Sequence, residues 1–88
     1  MTRRRVIVSG RVQGVFFRDS ARQRAQSRGV SGWVRNNPDG TLEAVFEGAG
    51  DDVDAMVRFC QQGPRGASVE RVEVFEEEPE GLEGFSVR

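Results

Sequence analysis

The apolar residues of this chain switch between two spacings, and the order of the switches constrains its fold. Val6 to Val12 alternates in the manner of a β-strand, with every second residue on one side. Phe17, Ala21 and Ala25 then recur every four residues, as on the buried face of an α-helix, until Gly29 supplies a helix stop. The first part of the chain is therefore predicted to be a strand followed by a helix.

A hairpin is predicted next. Val30 to Asn36 has the character of a second strand, and Thr41 to Glu47 alternates as a third. Between them, residues 37–40 read Asn-Pro-Asp-Gly, in which Pro presets φ and Gly accepts positive φ. Such a turn between two strand patterns predicts two antiparallel neighbours.

The second half of the chain repeats the helix-then-strand order. Asp51 or Asp52 can cap a helix that ends before Gly63-Pro64 and has the apolar stripe Val53, Met56, Val57 and Cys60. A fourth strand is predicted from Val69 to Phe75, with Val72 and Val74 in the core. An exposed acidic loop at Glu76–Glu80 and a short closing strand at Phe85–Val87 follow.

This order predicts one α+β domain over residues 1–88, a ferredoxin-like βαββαβ sandwich whose antiparallel sheet carries both helices on one face. The first two strands should be parallel, with the third between them, so their C-terminal ends meet at one edge of the sheet. The segment Gln13–Arg18 and Asn36 are expected to converge there. A chain this short has no room for a deep cavity, so any ligand site should be a shallow cradle.

Composition excludes several kinds of chemistry. The chain has no His, Lys or Tyr, and its thirteen basic residues are all Arg. Ser-His-Asp and Cys-His catalysis, Schiff-base chemistry and a Lys-containing phosphate loop are therefore absent from this chain. We expect no metal and no cofactor, because zinc or iron ligands would be limited to carboxylates and one thiol.

Cys60, the only cysteine, cannot form an intramolecular disulfide, and no secretory or membrane-spanning apolar run is present. These features predict a cytoplasmic protein with no membrane partner. Cys60 lies on an apolar stripe and is expected in the core. The Cys-dependent phosphatase alternative fails because that signature has Arg six positions after Cys, where this chain has Gly66.

The net charge of −1 conceals two halves of opposite sign. Residues 1–40 contain nine Arg and two Asp, giving +7, whereas residues 41–88 contain four Arg and twelve acidic residues, giving −8. One interpretation is an anionic partner for the basic half, and the other is two solvated faces. Arg3–Arg5 are expected to form a solvated terminus and Glu76–Glu78 a solvated loop. The acidic half and the missing RNP1 pattern argue against nucleic-acid binding.

The segment Gln13-Gly14-Val15-Phe16-Phe17-Arg18 can form a phosphate-binding loop. It leads from a strand into a helix N-terminus, where unpaired N–H groups and the helix dipole attract anions. Gly14 allows a tight curl, and Arg18 offers a planar, charged fork for two oxygens. The alternative is a simple turn in which Arg18 pairs with Asp19 or Asp54. Asn36, just before the hairpin turn, is either a turn residue or a partner of this loop.

Two motifs resemble those of the acylphosphatase family. Residues 8–18, Val-Ser-Gly-Arg-Val-Gln-Gly-Val-Phe-Phe-Arg, match its first signature throughout. Residues 32–36, Gly-Trp-Val-Arg-Asn, with Gly40 and Gly48, resemble the second, except that Leu42 replaces the usual Val. The motifs and their connecting elements span about half of the chain, and the predicted element order covers the rest.

The resemblance implies hydrolysis of the carboxyl-phosphate bond of a small acyl phosphate. It assigns phosphate binding to Arg18 and to the amides around residues 14–18, with Gln13 in the same loop, and orientation of water to Asn36. Such a reaction suits a chain without His, since the leaving carboxylate has a pKa of about 4 and needs little acid catalysis. We expect a monomeric enzyme. A binding module that only holds an anion in the same cradle is the competing function.

Overall fold

The chain folds into five strands and two helices in the predicted order. The computed structural model describes every residue from Met1 to Arg88. Its elements are β1 (Thr2–Arg11), α1 (Phe17–Ser27), β2 (Ser31–Asn36), β3 (Leu42–Gly48), α2 (Gly50–Gln62), β4 (Ser68–Glu77) and β5 (Phe85–Val87). Neither helix has the length and apolar character needed to span a membrane.

The strands form one sheet in the order β4-β1-β3-β2-β5, so β3 lies between β1 and β2 as predicted. The ferredoxin-like α+β class is confirmed, but the sheet is mixed rather than antiparallel, because β5 pairs in parallel with β2. The segment after β4 crosses from the β4 edge of the sheet to the β2 edge. There β5 runs in the same direction as β2. Close pairing of β2 with β3 needs Gly32, because a Cβ there would lie 1.8 Å from the carbonyl oxygen of Val45.

Both helices pack on one face of the sheet and enclose the core. Phe17 of α1 meets Phe59 of α2 edge to face, with ring centres 5.4 Å apart. Cys60 is fully buried, as predicted, and burial raises the pKa of its thiol to about 12. Val72 packs against the core, but the prediction for Val74 is wrong, since that residue is 42% exposed on an edge strand.

β1 and β4 are each longer at one end than predicted. β1 begins at Thr2 and β4 continues to Glu77, because Arg3 pairs in register with Glu77 across the two strands. Opposite charges on facing strands stabilise this extension. The expectation of a solvated terminus is therefore wrong for Arg3, which is only 7% exposed, and the loop predicted for Glu76 and Glu77 is a strand.

A buried carboxylate on the face of the sheet without helices links β3 to β1 and to the segment after β4. Glu47 of β3 is 1% exposed and accepts a charged hydrogen bond from the guanidinium of Arg3. It also accepts hydrogen bonds from the backbone N–H groups of Glu80, Gly81 and Leu82, at 2.9–3.1 Å. The Glu47 carboxylate thus holds the segment that leads from β4 across the sheet to β5.

We expect Glu47→Gln to lower the free energy of unfolding by about 3 kcal/mol, because removing one partner of a buried pair leaves the other partly uncompensated. Urea unfolding of both proteins gives the difference. The matched control is Glu76→Gln, whose exposed carboxylate lies 3.4 Å from Arg4 and should contribute little. Equal effects of the two substitutions would contradict the special role of Glu47.

Stability should also fall in acid. Burial raises the pKa of the Glu47 carboxyl, but hydrogen bonds from the Glu80 N–H, Arg3 and the following N–H groups outweigh burial and lower it overall. Hydrogen bonds from Arg5 and Arg3 lower the pKa of Glu77. A lowered carboxyl pKa contributes stability that is complete above the ordinary value of 4.5 and is lost as the pH falls below it. Urea midpoints at a series of acid pH values should decline, and less so in Glu47→Gln.

Candidate active site

An open groove lies at the edge of the sheet where β1 and β2 end. Its walls are the segment that joins β1 to α1, the side chains of α1 that face β5, Asn36 at the end of β2, and β5 itself. The convergence of the Gln13–Arg18 segment with Asn36 is the arrangement that the strand order predicted. The groove is a surface feature, as expected for so short a chain.

The segment that enters α1 presents unused hydrogen-bond donors. None of the backbone N–H groups of residues 14–19 has an acceptor within the chain, and the first that does, Ser20, donates to the carbonyl oxygen of Phe16 at 3.0 Å. Gly14 adopts φ +73°, and a Cβ there would meet no atom within 4 Å. Glycine is therefore favoured at this position by its backbone conformation and not by a lack of space. These donors and the helix dipole create a positive potential suited to an anion.

Phe16 precedes the helix in a left-handed conformation, with φ 60° and ψ 25°. This conformation costs a residue other than glycine roughly 1–2 kcal/mol. Phe16 is 81% exposed, whereas its neighbours Val15 and Phe17 are buried in the core. The two buried side chains hold the segment in place, and the left-handed turn between them leaves the side chain of Phe16 in solvent.

Arg18 has no partner within the chain. No carboxylate oxygen lies within 4.0 Å of its guanidinium, and it makes no side-chain hydrogen bond. Asp19 instead accepts from Arg22 at 2.6 Å and from Gln23 at 3.0 Å. The alternative in which Arg18 pairs with Asp19 or Asp54 is therefore wrong, and the guanidinium of Arg18 is available to a ligand in the groove.

Asn36 carries a buried acceptor without a donor. It is the last residue of β2, and its Oδ1 is shielded from solvent yet has no hydrogen-bond partner. Asn36 is not the residue that stabilises the hairpin turn, because Asn37 and Asp39 bond to Thr41 there. A buried acceptor is normally paired, so the unpaired Oδ1 marks Asn36 as a residue whose hydrogen-bonding capacity the surrounding chain does not satisfy.

The predicted substrate-binding residues do not all line the groove. Gly14, Phe16, Phe17 and Arg18 line the groove, while the side chain of Val15 is in the core. The side-chain amide of Gln13 donates to the carbonyl oxygens of the hairpin turn, at residues 37 and 41, over 2.9 and 3.0 Å. The side chain of Gln13 therefore fastens the segment that joins β1 to α1 to the hairpin turn that follows β2.

Other groove residues were not found from the sequence. Arg22 and Gln26 follow Arg18 on one face of α1 at intervals of four residues, a spacing that could have indicated them. The wall formed by β5 had no such signal, because its position depends on where the preceding segment crosses the sheet.

The fold and the groove together define a small ferredoxin-like α+β protein with free N–H donors where a strand leads into a helix. The acylphosphatase family model matches residues 4–87. An acylphosphatase of Rubrobacter xylanophilus is 66% identical over 96% of this chain and 77% of its own length. One from Haloarcula marismortui is 60% identical over 99% of this chain and 96% of its own.

Solved structures agree with the sequence relatives. The crystal structure of acylphosphatase from Bacillus subtilis superposes with a TM-score of 0.95 at 36% identity, covering 100% of this chain and 99% of that one. This chain belongs to the acylphosphatase family. It is an enzyme that hydrolyses acyl phosphates.

The two adjacent phenylalanines should respond oppositely to substitution. Phe16→Gly should leave the free energy of unfolding unchanged or raise it by up to about 1 kcal/mol, because glycine takes the left-handed conformation without strain. Phe17→Ala should lower it by about 3–5 kcal/mol, because Phe17 is 1% exposed. Urea unfolding measures both, and a large loss for Phe16→Gly would contradict the assignment of strain.

Proposed function

We propose that this enzyme hydrolyses small acyl phosphates by direct attack of a water molecule on phosphorus. The observation that carries the proposal is the groove itself, which brings free N–H donors, the unpaired guanidinium of Arg18 and the side chain of Asn36, whose Oδ1 is unpaired, to one place. Donors suit the phosphate oxygens, and the acceptor suits the hydrogen of a water molecule.

Arg18 and the loop amides are assigned to the phosphate. The planar guanidinium forms two parallel hydrogen bonds to phosphoryl oxygens, and the N–H groups of residues 14–18 surround the remaining oxygen. In phosphoryl transfer the charge lies on these oxygens in the transition state. Donors that are held in place beforehand stabilise that charge without reorganising.

Asn36 is assigned to the nucleophile. Its Oδ1 accepts a hydrogen bond from water and aims the water oxygen at phosphorus. The new bond joins that oxygen to phosphorus, the bond from phosphorus to the acyl oxygen breaks, and the carboxylate leaves with the electron pair. A phosphoryl oxygen accepts the proton of the water. The leaving carboxylate, with a pKa of about 4, requires no acid catalyst.

This mechanism needs neither a metal nor a cofactor, because positioning and fixed charge supply the catalysis. We also propose that the chain works as one domain and as a monomer in the cytoplasm. The family match across residues 4–87 and the buried, unpaired thiol of Cys60 support this proposal. Light scattering of the purified protein tests the monomer.

Substitutions at Arg18 and Asn36 should separate binding from turnover. With benzoyl phosphate as substrate, Arg18→Gln should lower kcat/KM by at least about 10²-fold and abolish inhibition by inorganic phosphate. Asn36→Ala should lower kcat by about 10²–10³-fold and leave phosphate inhibition nearly unchanged, because the anion donors remain. Steady-state kinetics without added metal gives all of these values.

The matched control is Arg71→Gln, which removes an exposed guanidinium on β4 and should leave both constants unchanged. A fully active Asn36→Ala variant would contradict the role given to Asn36. If Arg18→Gln still binds phosphate as the wild type does, the cradle is misassigned. A wild-type protein that binds phosphate yet leaves benzoyl phosphate intact would be a binding module.

A further inference from the structure

A second groove, on the opposite side of α1 from the active site, is lined by four arginines and no acidic residue. It runs between α1 and α2 and is closed at one end by the loop that leads into β4. Arg24 and Arg28 come from the C-terminal end of α1, Arg58 from α2, and Arg65 from the loop. Three separate segments of the chain thus bring permanent positive charges to one surface.

Most of this charge is uncompensated within the chain. Arg24, Arg58 and Arg65 have no carboxylate within 4.0 Å, and only Arg28 forms an ion pair, with Asp52 at 3.1 Å. Other arginines show that the chain neutralises such charges elsewhere, since Arg3 and Arg5 are each paired with carboxylates. The C-terminal dipoles of the two helices and Asp52 together offset about two charges, which leaves an excess of about two.

The groove is also partly ordered for binding. The guanidinium carbon of Arg24 lies 4.5 Å from the centre of the Phe59 ring, a stacking contact that restricts this side chain before any ligand arrives. In the closing loop, the backbone N–H groups of Arg65 and Gly66 have no acceptor within the chain. Guanidinium groups and free amides are the donors that proteins use for phosphoryl oxygens.

The spread of the charges indicates the form of the ligand. Arg24 and Arg28 are one helical turn apart, a rise of about 6 Å, and Arg58 stands on the facing helix. A chain of linked phosphoryl groups spans donors on two helices and a loop better than a single phosphate does. Phe59 is covered by Arg24, so no aromatic face is free for a nucleobase to stack upon.

The geometry points to a second anion site in this groove, which binds a chain of two or more linked phosphoryl groups. Inorganic polyphosphate and a nucleoside triphosphate share this chemistry. The site recognises the phosphoryl groups and ignores a base or sugar attached to them. It is separate from the active site, and only the Arg18→Gln background used in its test rests on the proposed function.

Calorimetric titration with sodium triphosphate tests the site, in an Arg18→Gln background that removes binding at the active-site cradle. We expect saturable binding at about 50 mM salt that weakens at about 200 mM. Arg58→Gln and Arg65→Gln should each weaken it by about tenfold or more, since each removes a charged donor. Arg71→Gln, the charge-matched control on the far side of the sheet, should have no effect.

A second titration distinguishes the ligand sources. ATP and triphosphate should bind within a few-fold of each other, and the Arg58→Gln and Arg65→Gln substitutions, made in the Arg18-containing protein, should leave benzoyl phosphate hydrolysis intact. No saturable binding up to about 1 mM triphosphate would overturn the proposal. So would binding that survives both substitutions, ATP binding at least about tenfold tighter than triphosphate, or tighter binding of a single-stranded oligonucleotide.

Discussion

The carboxylate of Glu47 is the contact on which the shape of this molecule depends. It lies on the central strand of the sheet and bonds both to Arg3 of the neighbouring strand and to three N–H groups of the segment after β4. That segment delivers β5 to the edge of β2, where β5 becomes a wall of the active-site groove. A buried charge on the open face of the sheet therefore determines the outline of a site at its edge. Its burial is tolerable because every carboxylate oxygen is paired.

The candidate active site depends on a second long-range link, between the segment that joins β1 to α1 and the hairpin turn. Gln13 bonds to two carbonyl oxygens of that turn, and Asn36 is the residue just before it. The groups assigned to phosphate and to water are thus held relative to each other through one side-chain amide. In the same segment, Phe16 holds a strained left-handed backbone conformation between two residues whose side chains are buried. Fixed donors of this kind suit a reaction whose catalysis is mostly orientation and charge stabilisation.

The opposite charges of the two halves of the sequence are paired in one part of the structure and mostly unpaired in another. Arg3 and Arg5 of the basic half pair with Glu47 and Glu77 of the acidic half, which holds β1 to its neighbours. In the helix layer only Arg28 is paired in this way, with Asp52, and the groove between α1 and α2 keeps most of its charge. The sequence left an anionic partner and two solvated faces as the alternatives, and the pairing of β1 with residues of the acidic half fits neither of them.

The sequence by itself determined the order of the elements, the helix-facing core and the convergence of Arg18 with Asn36, because periodicity, turn residues and crossover handedness are local or topological properties. Only the tertiary structure decided the parallel pairing of β5, the burial of Glu47 and the commitment of Gln13 to the hairpin turn. Each of these features depends on contacts between residues that are distant in the sequence. The alternation of β3, for example, predicts that Glu47 is an ordinary exposed residue. The unpaired Oδ1 of Asn36 belongs to the same group, since a missing partner is visible only once all neighbours are in place.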